Sequence, residues 1–432
     1  MIVSRRTRSH STRGLACLAA LCLSLAGLFS SAAAEPALTR DERWRQDLRC
    51  LVETLPRVHK NAFFQISREE FHQTAARLDA AIPSLRDHEI VVGLARLAAK
   101  IGDAHTALSV FDPAACFRFY PISFHWFQDG LYVTMVSAEY SRALGARLLT
   151  VGRASVQEAC AAVAEVISHE NEAMLKSLVP SCLVTAEVLH ATRLVPSMDE
   201  ALFGFEDAGG RFELSMIPVA LNQVASSQSS IQWLAAPDPA SIQPPLYLRQ
   251  RQLYYWYKYL PEHRTIYFQY NSCRDMPERK FSTFARELLD FVDGNTVERF
   301  IVDLRLNGGG NSTILQPLIQ GLRRRPSINR PGHLFVLIGR RTFSSAILNA
   351  LELRNKIQAV LVGEPTGGRP NHYGEVKTFK LPHSGLTVTY STKYFRHAKE
   401  DTPSLIPDVL VEPVAADYFA GRDPVLDAVL DY

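Results

Sequence analysis

Apolar positions change their spacing along this chain, and the changes mark out its elements. Between residues 40 and 102 they recur every three or four positions: Trp44, Leu48, Leu51, Val52 and Leu55, then Phe71, Ala75, Leu78 and Ile82. That period puts them on one face of a helix, so the segment is predicted to be helical. A second signal, Ile90 to Ile101, predicts a helix ending at Gly102, where a left-handed cap costs little. Residues 110–240 are mixed, with aromatic-rich alternation from Phe117 to Val136 predicting strands and Val156 to Ile167 predicting a helix. A Ser/Gln run followed by Pro237, Pro239, Pro244 and Pro245 predicts a surface connection over 211–247.

From about 247 the pattern becomes an orderly alternation. Strands are predicted at Thr265 to Tyr270, Phe300 to Leu304, 334–338 and 359–362, with helices at Phe281 to Val292, Ile314 to Leu322 and after Ser344. Apolar strands separated by amphipathic helices predict a parallel-rich α/β core. Runs near 376–381 and 386–391 predict a hairpin. The expected organisation is a leader over 1–34, a helical region 35–110, a mixed region 111–246 and the α/β region 247–432.

The leader expectation rests on Arg5, Arg6, Arg8 and Arg13, the apolar stretch Leu15 to Phe29 and the small residues Ala32-Ala33-Ala34. These are the parts of a secretory signal, and they predict an exported protein, periplasmic or secreted. No other stretch is apolar enough to span a bilayer. Removing four arginines takes the net charge from +3 to −1, which gives no electrostatic basis for nucleic-acid binding. Five cysteines remain, Cys50, Cys116, Cys160, Cys182 and Cys273, none in C-x-x-C spacing. Up to two disulfides are compatible with export, Cys160–Cys182 being the first pair to test.

Three loops carry candidate chemistry, each following a predicted strand. Asp303-Leu304-Arg305-Leu306-Asn307-Gly308-Gly309-Gly310-Asn311 offers glycine backbone that can approach a ligand and turn N–H groups toward an oxyanion. It lacks the lysine and spacing of a phosphate loop. Thr342-Phe343-Ser344-Ser345-Ala346 puts a hydroxyl at a strand-to-helix turn, the geometry of a nucleophile elbow or of an ordinary N-cap. Gly363-Glu364-Pro365-Thr366-Gly367-Gly368-Arg369-Pro370-Asn371 completes a cleft rim at successive strand ends, where α/β sheets bind ligands.

Taken with Leu381 to Leu386 and Pro407-Asp408-Val409, these loops resemble the C-terminal-processing (tail-specific) serine peptidase family, which includes the core of tricorn protease. The resemblance implies a crotonase/ClpP-like α/β peptidase core with an N-terminal helical domain and a PDZ-like middle domain. The PDZ-like part would use the turn Gly145 to Gly152. It further implies Ser344 as nucleophile, with an oxyanion hole from the N–H of Ser345 and of Gly308 or Gly309. Family members that use a lysine base place it where this chain has Arg369, and a guanidinium stays protonated.

The tricorn-like branch instead uses a histidine, and Gly102-Asp103-Ala104-His105-Thr106 resembles its G-D-x-H-T segment. His105 becomes the base, with His372 as an alternative. Glu400 or Asp401, or alternatively Glu375, would orient the ring; Arg369 and Asn371 would position substrate. The implied activity is hydrolysis of extended or unfolded polypeptide, without metal or cofactor. The competing functions are a catalytically silent ligand or peptide carrier on the same fold, and a non-peptidase acyl hydrolase.

Overall fold

Strands covered on both faces must be apolar throughout, and Thr265–Tyr270, Arg299–Asp303, Leu334–Ile338 and Val360–Gly363 come close to that. In the computed structural model, which describes residues 37–225, 231–238 and 241–432, they lie parallel at the centre of a six-stranded sheet. Tyr255–Leu260 closes one edge antiparallel and Val409–Leu410 the other parallel. Alternate side chains serve two cores. Phe300, Val302, Leu334, Val336 and Ile338 pack against the helices Phe281–Gly294, Gln316–Arg323 and Ser345–Ile357. Ile301, Phe335 and Leu337 face Val425, Leu426 and Val429 of the helix Pro424–Leu430.

The N-terminal helices Arg40–Val58, Arg68–Ala81 and Asp87–Ala99 bury the predicted faces, including Leu51, Leu55, Phe71 and Ile90. Both helix ends read from the apolar pattern fall short of it: Asp87–Ala99 stops before Ile101, and Val156–Ala164 before Ile167. Ile101 and Ile167 are buried all the same, from the turns that follow. A mixed fold is completed by a seven-stranded antiparallel sheet. Two of its strands, Gly210–Met216 and Trp233–Ala235, overlap 211–247, so that segment is not only a surface connection. Trp233 pairs with Ser137 and Met216 with Ala201, and this long-range pairing is invisible to a local reading of serines and prolines. The strand Arg147–Val151 is paired on both sides, not on an exposed edge.

Arg40–Tyr432 is one compact unit, and its two ends are joined directly. The hairpin of His372–Lys380 and Thr387–Phe395 accepts a third strand, Ala107–Leu108, with Ala107 opposite Thr389. The leader, residues 1–34, lies outside the described residues. Among the described residues no helix is long and apolar enough to cross a membrane. The expected disulfides are absent: all five described cysteines are free thiols. Cys160 and Cys182 are each buried in the core, and burial pushes both thiols up to about 12.

Candidate active site

The turn that carries Ser344 is built by hydrogen bonds to two neighbouring strand ends. Thr342 is fully buried; its hydroxyl donates to the Leu304 carbonyl at 2.8 Å and accepts the Gly339 N–H at 3.0 Å. The Phe343 N–H donates to the Asn307 carbonyl at 3.0 Å. Between these ties and the helix Ser345–Ile357, Ser344 takes φ 53° and ψ −125°. A non-glycine residue there stores on the order of 1–3 kcal/mol and persists only when its surroundings impose it. A Cβ on Gly309, itself at φ +105°, would sit 2.9 Å from the Ser344 Cβ, so glycine is required for the loop to reach the serine.

Asn307 organises that loop. Its Nδ2 donates to the Tyr270 carbonyl at 2.8 Å, and its Oδ1 accepts the Gly309 N–H at 2.9 Å and the Cys273 thiol at 3.5 Å. Cys273 also bonds Asn349, and burial pushes its thiol up to about 11, which fits a clamp rather than a nucleophile. The Gly309 N–H is therefore spoken for. Those of Gly308 and Ser345 donate to no protein acceptor among the described residues.

His105 arrives from the other end of the chain, two residues before the strand that joins the hairpin. Its ring stacks on Phe343 at 4.4 Å and on His372 at 5.5 Å. Asp103, fully buried, anchors the segment: it accepts the His105 N–H at 3.0 Å, the Thr106 hydroxyl at 2.5 Å and His59 Nε2 at 3.0 Å. His59 Nδ1 accepts the Asn61 N–H, so Nε2 carries the proton it gives to Asp103. Against the cost of burial, the His105 ring, its Nδ1 3.8 Å from Asp103 Oδ1, and the hydrogen bond from His59 hold the Asp103 carboxyl well below the usual carboxylate range.

The second carboxylate at the ring is Glu170. Oxygens of Asp103 and Glu170 and a ring nitrogen of His105 lie within 4.8 Å of one another. Burial pushes Glu170 up to about 7, although it accepts the Arg369 N–H at 3.0 Å. Three donors so placed could also clamp a divalent cation, which would occupy the imidazole lone pair. Neither ring nitrogen of His105 has a hydrogen-bond partner among the described residues, so the ring makes no hydrogen bond to Ser344.

No family model matches the sequence, and no curated protein does. Solved structures do. Mature CPAF complexed with lactacystin superposes with a TM-score of 0.64 at 15% identity, covering 90% of this chain and 98% of that one. Mature CPAF alone gives 0.63 at 15% identity, over 90% and 96%. This chain shares the fold of mature CPAF. The tricorn protease is a more distant likeness, with a TM-score of 0.45 at 13% identity over 91% of this chain and 37% of that one.

Within that CPAF-like fold the remaining expected residues take different places. Arg369 pairs with Asp401 at 3.1 Å, beside a cavity of about 270 Å³ that both line with Glu170 and His372. Asn371 is buried and holds the following loop, donating to the Ala398 and Glu400 carbonyls and accepting the His397 and Ala398 N–H groups. Glu400 thus enters through its backbone. Glu375 is exposed and pairs with Lys393 at 3.4 Å. The Arg369 carbonyl accepts His372 Nδ1–H at 2.9 Å, and burial, then the charge of His105, brings His372 down to about 4.

Glu170 was not picked out by the sequence. Its only local signal is the Asn171 that follows, whose side chain accepts the Met174 N–H and caps the helix Glu172–Cys182. Asn171 Nδ2 also reaches the Thr366 and Pro403 carbonyls and the Ser404 hydroxyl, and so ties Glu170 to the loop that carries Arg369.

Proposed function

We propose that this chain is an exported serine peptidase of the tail-specific or tricorn-core type, hydrolysing extended or unfolded polypeptide. The observation that carries this is Ser344 in a strained strand-to-helix turn, with the His105 ring stacked on its neighbour Phe343. A strained turn of this kind exposes a nucleophile at the top of an α/β sheet. The sheet and its helices are read as the crotonase/ClpP-like core, and the seven-stranded region as the PDZ-like or lid part. Export rests on the composition of residues 1–34.

In the mechanism, Ser344 Oγ attacks the peptide carbonyl and His105 takes its proton, then returns it to the leaving amine. The tetrahedral oxyanion is met by the Ser345 N–H at the positive end of the helix and by the Gly308 N–H. Gly309 holds the loop through Asn307. Glu170, with Asp103 behind it, stabilises the imidazolium in place of the more distant acids after the nucleophile. Attack requires the His105 ring to turn from its stacked position toward Ser344; catalytic hydrogen bonds often tighten only with substrate bound.

The missing Ser344–His105 bond is also what favours the second reading, a silent carrier on the same fold. Mapping by mass spectrometry after treatment with a fluorophosphonate probe separates the two. The expected result is a label on Ser344, abolished in Ser344→Ala and slowed at least a hundredfold in His105→Ala. An unlabelled Ser344 in folded protein would leave the carrier.

A further inference from the structure

A second cavity, of about 310 Å³, opens at the same end of the parallel sheet, and its wall is strongly basic. Four of its cations are matched by acids. Arg305 is buried between Asp303 and Asp423, Arg340 pairs with Glu364 at 2.6 Å, Arg422 with Asp417 at 2.5 Å and Lys176 with Glu172 at 2.8 Å. Arg251 and Arg341 are the exceptions: both line the cavity, and neither has an ion pair or hydrogen bond among the described residues. They also act on each other. Desolvation, and then the charge of Arg251, lowers Arg341 from its ordinary value. Two unpaired guanidinium groups repelling across a partly desolvated wall cost stability unless an anion enters between them.

We infer that this cavity binds a carboxylate carried by the polypeptide substrate, gripped between Arg251 and Arg341. Guanidinium forks match a carboxylate with paired, charge-assisted hydrogen bonds. The position suits a substrate contact. Leu306, directly before Asn307, and Gly339 both line the cavity. Arg341 is three residues from Ser344, a Cα separation of at most about 11 Å. With about 7 Å more for the arginine side chain and about 3 Å for the hydrogen bond, a carboxylate held there lies within about 20 Å of Ser344, roughly six extended residues. That placement rests on the Ser344 reading; the anion site itself does not.

The test measures binding of fluorescently labelled peptides to full-length Ser344→Ala protein by anisotropy at low salt. Three peptides are compared: one with internal glutamates and an amidated end, one neutral with a free carboxyl terminus, and one neutral and amidated. At least one carboxylate peptide is expected to bind about tenfold or more tightly than the neutral amidated one. That advantage is expected to shrink with salt and vanish in Arg251→Gln/Arg341→Gln. Preference for the first peptide assigns the site to acidic side chains; preference for the second assigns it to the chain end. Equal binding of all three, or a preference surviving in the double variant, overturns the inference.

The double variant is expected to melt no lower than its parent, because only a repulsive pair is removed; a lower melting temperature overturns the assignment of these arginines as unpaired. Fluorophosphonate labelling of otherwise wild-type protein keeps the two readings apart. Labelled Ser344 without arginine-dependent binding defeats the anion site alone. Arginine-dependent binding without label defeats the peptidase reading alone.

Discussion

Ser344 and Gly309 are a matched pair, one paying conformational strain and the other making room. Because Ser344 sits at φ 53°, replacing it with glycine removes a steric penalty but adds chain entropy to the unfolded state. Ser344→Gly is therefore expected to be about as stable as the parent or up to about 1 kcal/mol more so, while losing all hydrolysis. Chemical denaturation beside a peptide assay checks both. Gly309→Ala meets backbone as well as side chain, since its Cβ would lie 3.0 Å from the Phe343 carbonyl and 3.1 Å from the Ser345 nitrogen. With φ +105° also unfavourable, that variant is expected to lose about 2 kcal/mol of stability or more. Its labelling by the fluorophosphonate probe is expected to fall with it, and normal labelling would mean that the loop moves freely away from the serine.

Elements were legible wherever one local period fixed them. The alternation after 247 marked the strands Thr265–Tyr270 and Leu334–Ile338 to the residue, because strands buried on both faces are short, dense apolar or aromatic runs that stand out from the polar loops around them. Ser344 and the glycine loop could be read because strand, turn and helix adjoin in sequence. Glu170 could not. It reaches the imidazole through Asn171, whose side chain acts at once as a helix cap and as a bridge to residues 366, 403 and 404. The cap is written locally; the bridge exists only in the fold. The two jobs can be separated by substitution. Asn171→Asp keeps the acceptor for the Met174 N–H but loses the Nδ2 donor, leaving the Thr366 and Pro403 carbonyls without it. It is expected to cost about 1–3 kcal/mol, with kcat falling more than the melting temperature alone explains. If Asn171→Asp behaves like the parent and Asn171→Ala does not, the cap is all that matters.

Across the molecule, the first, middle and last regions meet in one cluster of titratable groups, His105, Glu170 and His372, and the shifts of the last two make stability depend on pH in opposite senses. His372 falls from 6.5 to about 4 in the fold, so between those values the unfolded chain binds the extra proton. Its contribution is complete above 6.5 and is lost as pH falls toward 4, at most about 3 kcal/mol. Glu170 rises from 4.5 to about 7, so there the folded chain binds the extra proton. Its contribution is complete below 4.5 and is lost as pH rises toward 7, again at most about 3 kcal/mol. Other histidines, such as His125, which burial and then Arg340 and Arg341 bring down to about 4, add to the low-pH loss. They cancel when each variant is compared with its parent. Glu170→Gln is expected to gain on the parent steadily from pH 4.5 to 7, and His372→Asn to gain on it as pH drops from 6.5 to 4. Denaturant unfolding at half-unit pH steps resolves the two differences. Parallel curves for parent and Glu170→Gln would mean that this carboxyl is not desolvated as the fold places it, because burial alone drives the rise and the charge of His105 opposes it.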